Sequence, residues 1–109
     1  SKRLREKGYH VVARSRDDNW MEILSPRRLH EEQQVLRANV KFFRDPSKYG
    51  INAGRISKLL IEQRTGSKAE KGYDCSRILY EYDRGLKMNM LEENLDAMLF
   101  YQLILKELN

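Results

Sequence analysis

The chain has 109 residues, 34% charged and 40% apolar, and 21 Lys and Arg against 16 Asp and Glu leave a net charge of +5. That length suits one domain with a core that needs no covalent staple. The single cysteine, Cys75, excludes an internal disulfide and points to a reducing compartment, cytoplasmic or, in a eukaryote, nuclear. No apolar run reaches the length of about 18 residues needed to span a membrane, and the basic start leads into no signal-peptide core. The absence of an initiator Met before Ser1 points to processing or to a fragment of a longer chain.

Charge is unevenly spread. Residues 1–71 hold 17 Lys and Arg against 9 Asp and Glu, a net of +8, whereas residues 72–109 hold 4 against 7, a net of −3. A basic body and an acidic, apolar tail suggest different partners for the two halves.

Residues 1–8 are basic, lack an apolar period and are expected to form a frayed arm or the end of a truncated helix; residues 9–109 make one globular domain. The stretch from Tyr9 to Arg16 reads as a strand, Trp20 to Leu24 as a second, and Asp17-Asp18-Asn19 as a three-residue hairpin loop. That loop sets Arg14 opposite Glu22, Arg16 opposite Trp20, Ala13 opposite Ile23 and Val12 opposite Leu24, with Ala13 and Ile23 on the buried face. Ser25-Pro26 then carries a helix-start signal, and Leu29, Leu36, Val40 and Phe43 are expected along one face of a helix that stops at Asp45-Pro46.

A further helix is expected from Ile51 to Arg64, burying Ala53, Ile56, Leu59 and Leu60 and ending at Gly66. After a glycine-bracketed loop, Asp74 caps a short helix holding Ile78, Leu79 and Tyr82, closed by Gly85. The last stretch is the most apolar. Asn89 as N-cap, with Glu92 three residues on, predicts a long helix to Leu108. Its apolar residues form two adjacent stripes, Met90, Ala97, Tyr101, Ile104 and Leu108 beside Leu91, Leu95, Met98 and Leu105, wider than one core covers. The expected fold is therefore α+β and mostly α: an N-terminal β-hairpin, about four helices, and the terminal helix central to the core.

The chemistry points to binding rather than catalysis. His10 and His30 have no second ligand at metal spacing, and both read as ordinary polar side chains. Cys75 lacks the arginine six positions on that a phosphatase-type loop needs, since Glu81 stands there. No cofactor or metal is implied, and no enzymatic activity is expected. Phosphate binding needs several cations on one surface. The candidates are Arg14 and Arg16 on the hairpin, Arg27 and Arg28 after it, and Arg55, Lys58, Arg64, Lys68 and Lys71 around the third element. Trp20 offers a stacking surface for a base, against the plainer role of covering the hairpin. The second stripe of the terminal helix, Leu91, Leu95, Met98 and Leu105, together with Tyr101, is the candidate interface for a second copy or another protein. The expectation is a small basic regulatory or accessory nucleic-acid-binding protein that self-associates. The alternative is a protein-interaction or adaptor domain, without nucleic-acid binding, whose charge serves solubility.

Overall fold

In a computed structural model of the chain, residues 2–13, 19–25, 35–65 and 75–109 are described. Helix α1 (Lys2–Glu6) leads into β1 (His10–Ala13), β2 (Trp20–Leu24) and β3 (Val35–Phe42). A 3-10 turn at Ile51–Ala53 precedes β4 (Ile56–Thr65), β5 (Cys75–Asp83) and β6 (Leu86–Asn89), and a second at Leu91–Glu93 precedes helix α2 (Leu95–Leu108). The strands form one antiparallel sheet in chain order, each hydrogen-bonded to its neighbours in sequence. The protein is thus mostly β, a six-stranded meander with one long C-terminal helix, and not a mostly helical fold with about four helices.

The correction has one physical source. Leu36 and Val40 are four residues apart, a spacing that puts them on one face of a helix and equally on one face of a strand. What separates the readings is Ala38 between them: Leu36, Ala38 and Val40 are all buried, alternating with Arg37, Asn39 and Lys41 on the other face. The helix expected at 51–64 is instead a short 3-10 turn and the ten-residue β4, in which Leu59 and Ile61 share the buried face and Leu60 turns away. The helix expected from Asp74 is β5, with Ile78 38% exposed rather than packed. A bulge opposite Ile61 and Glu62 places Leu79 and Tyr80, adjacent in sequence, both in the core.

The hairpin forms, with the face assignment as expected and the register displaced. Val12 lies opposite Glu22 and Val11 opposite Ile23, two residues from the expected pairing. Strand side chains alternate with period two, so a two-residue displacement changes partners without changing faces, and Ile23 is fully buried. Arg14 and Arg16 lie outside the described residues. The arm expected at 1–8 holds α1, whose Leu4 is fully buried.

Helix α2 covers one face of the sheet. Ala97, Phe100, Ile104 and Leu108 meet Val11, Ile23, Leu36, Ala38, Val40, Leu59, Ile61 and Leu79 in a single core, closed at one corner by Leu4. The helix begins later than its capping signal predicts. Asn89 accepts from the Leu91 amide at 3.1 Å ahead of the 3-10 turn, while the Asn94 side chain accepts from the Ala97 amide at 3.1 Å and caps α2. At the far end Asn109 is clasped by the 3-10 turn before β4: its side-chain amide donates to the Ile51 carbonyl and its side-chain oxygen accepts from the Ile56 amide, both at 3.0 Å. Gly54 makes this possible, because a Cβ there would lie 2.4 Å from the Asn109 side chain. Among the described residues, no helix is long and apolar enough to cross a membrane.

Two aromatic contacts tie helix to sheet and carry a pH dependence. Tyr9 stacks on Phe100 at 5.2 Å between centroids, and Tyr80 meets Tyr101 at 4.8 Å. Burial raises both the Tyr9 and the Tyr80 phenol above the ordinary value of 10.0. Their contribution to stability is therefore complete below about pH 10 and is lost above it, where the unfolded chain releases protons that the fold retains. Alkaline titration followed by tyrosinate absorbance and circular dichroism is expected to show unfolding coupled to ionisation, with a gentler loss of stability in Tyr80→Phe. In urea at neutral pH, Phe100→Ala is expected to cost about 3–5 kcal/mol, and Leu95→Ala, on the exposed side of the same helix, less than about 0.5 kcal/mol.

Candidate functional site

Among the described residues no helix lies over the second face of the sheet, and its side chains follow from the strand registers. One rung runs Trp20, Lys41, Lys58, Asp83 across β2 to β5. The next runs Glu22, Asn39, Leu60, Glu81, and the one beyond it Leu24, Arg37, Glu62, Ile78. Charges around the third rung neutralise each other: Arg37 donates to Glu22 at 2.7 Å and lies 3.8 Å from Glu62. All three side chains are about one-fifth exposed or less, so water screens them only in part.

The first rung differs in kind. The Lys41 ammonium stands 5.8 Å from the Trp20 ring centre and 5.6 Å from that of Phe43, which is 41% exposed. At the same end of the sheet, where β3 leads into the 3-10 turn and β5 turns into β6, the Tyr49 ring takes Lys48 at 5.1 Å and Arg84 at 4.7 Å. Tyr49 is 44% exposed, and Arg44, in the same connection between β3 and the 3-10 turn, is exposed too. Each cation occupies one face of its ring, while Phe43 and Tyr49 stay partly exposed.

Between the first two rungs lies an open groove of about 320 Å³, lined by Trp20, Asn39, Lys58, Leu60, Glu81 and Asp83 among others. Lys58 is 3.6 Å from Asp83 at its rim. Among the described residues, two buried side-chain polar atoms lack a hydrogen-bond partner, and both belong to β3 on this face: Arg37 Nε and Asn39 Oδ1.

The fold disperses the residues singled out from the sequence. Arg14, Arg16, Arg27, Arg28, Lys68 and Lys71 lie outside the described residues. Lys58 joins the aromatic end of the sheet, and Arg64 is exposed near the opposite end of β4, opposite Val35 and Ser76. Arg55 is engaged within the fold, donating to the Leu108 carbonyl at 3.1 and 2.8 Å with its guanidinium 5.7 Å from the Phe42 ring. Of the candidate interface residues, Leu91 is buried, Met98, Tyr101 and Leu105 pack against the chain's own core, and Leu95 is 67% exposed. Lys41, Phe43, Lys48, Tyr49 and Arg84 are not among the residues the sequence pointed to. For Lys41 and Phe43 the signal is the polar half of the β3 alternation, hidden by the helix expected there; for Lys48 and Tyr49 it is the aromatic-basic composition of 41–49, and Arg84 has no such signal. No group of three or more His, Cys, Asp or Glu side chains among the described residues is placed to hold a metal ion.

The profile of a protein family described as a domain of unknown function, DUF7678, matches residues 28–109. The chain belongs to the DUF7678 family. The matched stretch includes β3 to β6 and α2, and therefore the whole of the groove except Trp20, which precedes it together with β1 and the rest of β2. No curated protein and no solved structure matches the chain.

The Arg37 pairs make this face sensitive to one substitution. Arg37→Ala strands two carboxylates on the strands either side of β3, and an effect of about 1–3 kcal/mol is expected in urea denaturation, between that of an exposed pair and a buried one. The effect should shrink when Glu22→Gln and Glu62→Gln are added.

Proposed function

We propose that this domain is a non-enzymatic binding module that holds single-stranded nucleic acid across the aromatic end of its sheet. The observation that carries the reading is a pair of cation–ring groups at one end of the sheet, Lys41 beside Trp20 and Phe43, and Lys48 with Arg84 beside Tyr49. Rings stack on unpaired bases irrespective of sequence, and cations between them follow the phosphates. A duplex hides the faces of its bases, so this arrangement favours a single strand over the double helix. The role is regulatory or accessory, and the single cysteine fits a reducing compartment such as the cytoplasm or nucleus.

A second reading, a protein-interaction module, draws on a different surface. Leu86 and Met88 stand exposed on the edge strand β6, and Leu95 and Leu99 on the outer side of α2. Those two helix residues are also the apolar surface that α2 leaves open for self-association.

The sole tryptophan, Trp20, reports on the first reading directly. Single-stranded oligonucleotides are expected to quench its fluorescence, with affinity falling steeply as salt rises. Reversing Lys41, Lys48 and Arg84 to Glu together should reduce the slope of log affinity against log salt by about 2, near 0.7 for each phosphate no longer neutralised. Absence of binding to any single strand at low salt and about 100 μM protein favours the protein-interaction module instead.

A further inference from the structure

Helix α2 has an outer side that its core contacts leave open. Ala97, Phe100, Ile104 and Leu108 are buried against the sheet, and on the opposite side of the helix run Leu95, Leu99, Gln102 and Lys106, all exposed. Their spacing of four, three and four residues is that of a seam along which one helix packs against another. The apolar part of the seam lies towards its start, where Leu95 is 67% and Leu99 48% exposed. One turn apart on the same face, the two side chains present a single apolar patch.

The charges around that patch restrict what can cover it. Ahead of the helix stand Glu92 and Glu93, both exposed, the latter paired with Arg77. In the last turn stands Lys106, and Arg3 of α1, 61% exposed, lies 3.6 Å from its neighbour Glu107. Among the described residues, Glu92 and Lys106 make no ion pair. Each suits the helix dipole at its own end, which accounts for their signs but not for the leucines between them.

A second α2 running antiparallel across a two-fold axis satisfies both features at once. With the axis level with Ala97, Leu95 of each copy meets Leu99 of the other, and the four leucines close into one cluster. Lys106 lies seven residues beyond Leu99, roughly 10 Å along the helix, and its side chain leans back towards the start of its own helix. That brings the ammonium over Glu92 of the other copy, which precedes Leu95 by three residues. A parallel pair would instead set lysine against lysine and glutamate against glutamate.

We infer that the outer side of α2 is a docking surface for a second copy of this chain, held antiparallel by the leucine cluster and flanked on either side by Lys106 against Glu92. The groove lies on the opposite face of the sheet from α2, so pairing turns both grooves outward. The inference therefore does not rest on the single-strand reading.

Two leucines from each copy make a small interface, so the pair is expected to form near about 100 μM and to separate at a few μM. Sedimentation velocity of the intact chain, from about 5 to about 500 μM, should show that passage from monomer to dimer. Leu95→Ala combined with Leu99→Ala should remain monomeric throughout, with the urea midpoint at low concentration nearly unchanged because both sites are exposed. Lys106→Glu alone and Glu92→Lys alone should each weaken the dimer by about three- to tenfold. The two together restore opposite charges across the axis and should return the dimer constant to near that of the wild type. A wild-type chain that stays monomeric at about 500 μM overturns the inference and leaves the leucines to a different protein. Dimerisation that survives loss of both leucines overturns this surface. Dimerisation lost with the leucines but indifferent to the charge exchange overturns the antiparallel arrangement. The wild-type concentration series decides whether a pair forms even if a variant fails to fold.

Discussion

One helix lies on one face of one sheet, and the rest of the structure depends on that contact. A single sheet has two faces, and α2 with its flanking turns supplies apolar cover for one of them. Phe100, Ile104 and Leu108 close that side against β1 to β5, while the opposite side must be compatible with water on its own. The free face meets that requirement by pairing charges across strands, Arg37 with Glu22 and Glu62, and Lys58 with Asp83. Its composition is a consequence of architecture before it is an indication of function. What exceeds the requirement is the aromatic end, because exposed rings do nothing for solubility.

Parts of this arrangement are legible in the residues. The β1–β2 hairpin shows itself through two short β-rich runs around a polar loop, and the terminal helix through its apolar period. Each is misplaced locally by a nearby substitute signal: Asp17-Asp18-Asn19 suggests too tight a loop, and Asn89 resembles the helix cap that Asn94 provides. The middle of the chain is deceptive because local signals there conflict with tertiary context. Ser25-Pro26 is a strong helix start, and residues spaced by four satisfy both periods, so they mask the alternation Leu36-Arg37-Ala38-Asn39-Val40-Lys41. From Val35 onward strand pairing between neighbours decides against the helix, whose first residues, 26–34, lie outside those described, and no single segment carries that information.

The same ambiguity hides the candidate site. On a helix, Lys41 and Asn39 would point in different directions and neither would meet Trp20. On adjacent strands, Lys41 stands opposite Trp20 and Asn39 falls one rung away, facing the same way. Basic residues chosen by their number along the chain are therefore a poor guide, and Arg55, chosen for its charge, serves to fasten the end of α2. Register, rather than charge content, assembles the surface.

A meander leaves its first and last strands with an unpaired row of backbone groups, and these are the usual templates for runaway sheet growth. Here β1 and β6 each extend over four residues, against eight to ten in β3, β4 and β5. An incoming strand finds few backbone partners on either side, so a stack of such molecules gains little for each copy added. The long, adhesive strands are kept in the middle, each already paired on both sides. Among the described residues, short edge strands are thus a guard against sheet growth that does not depend on net charge.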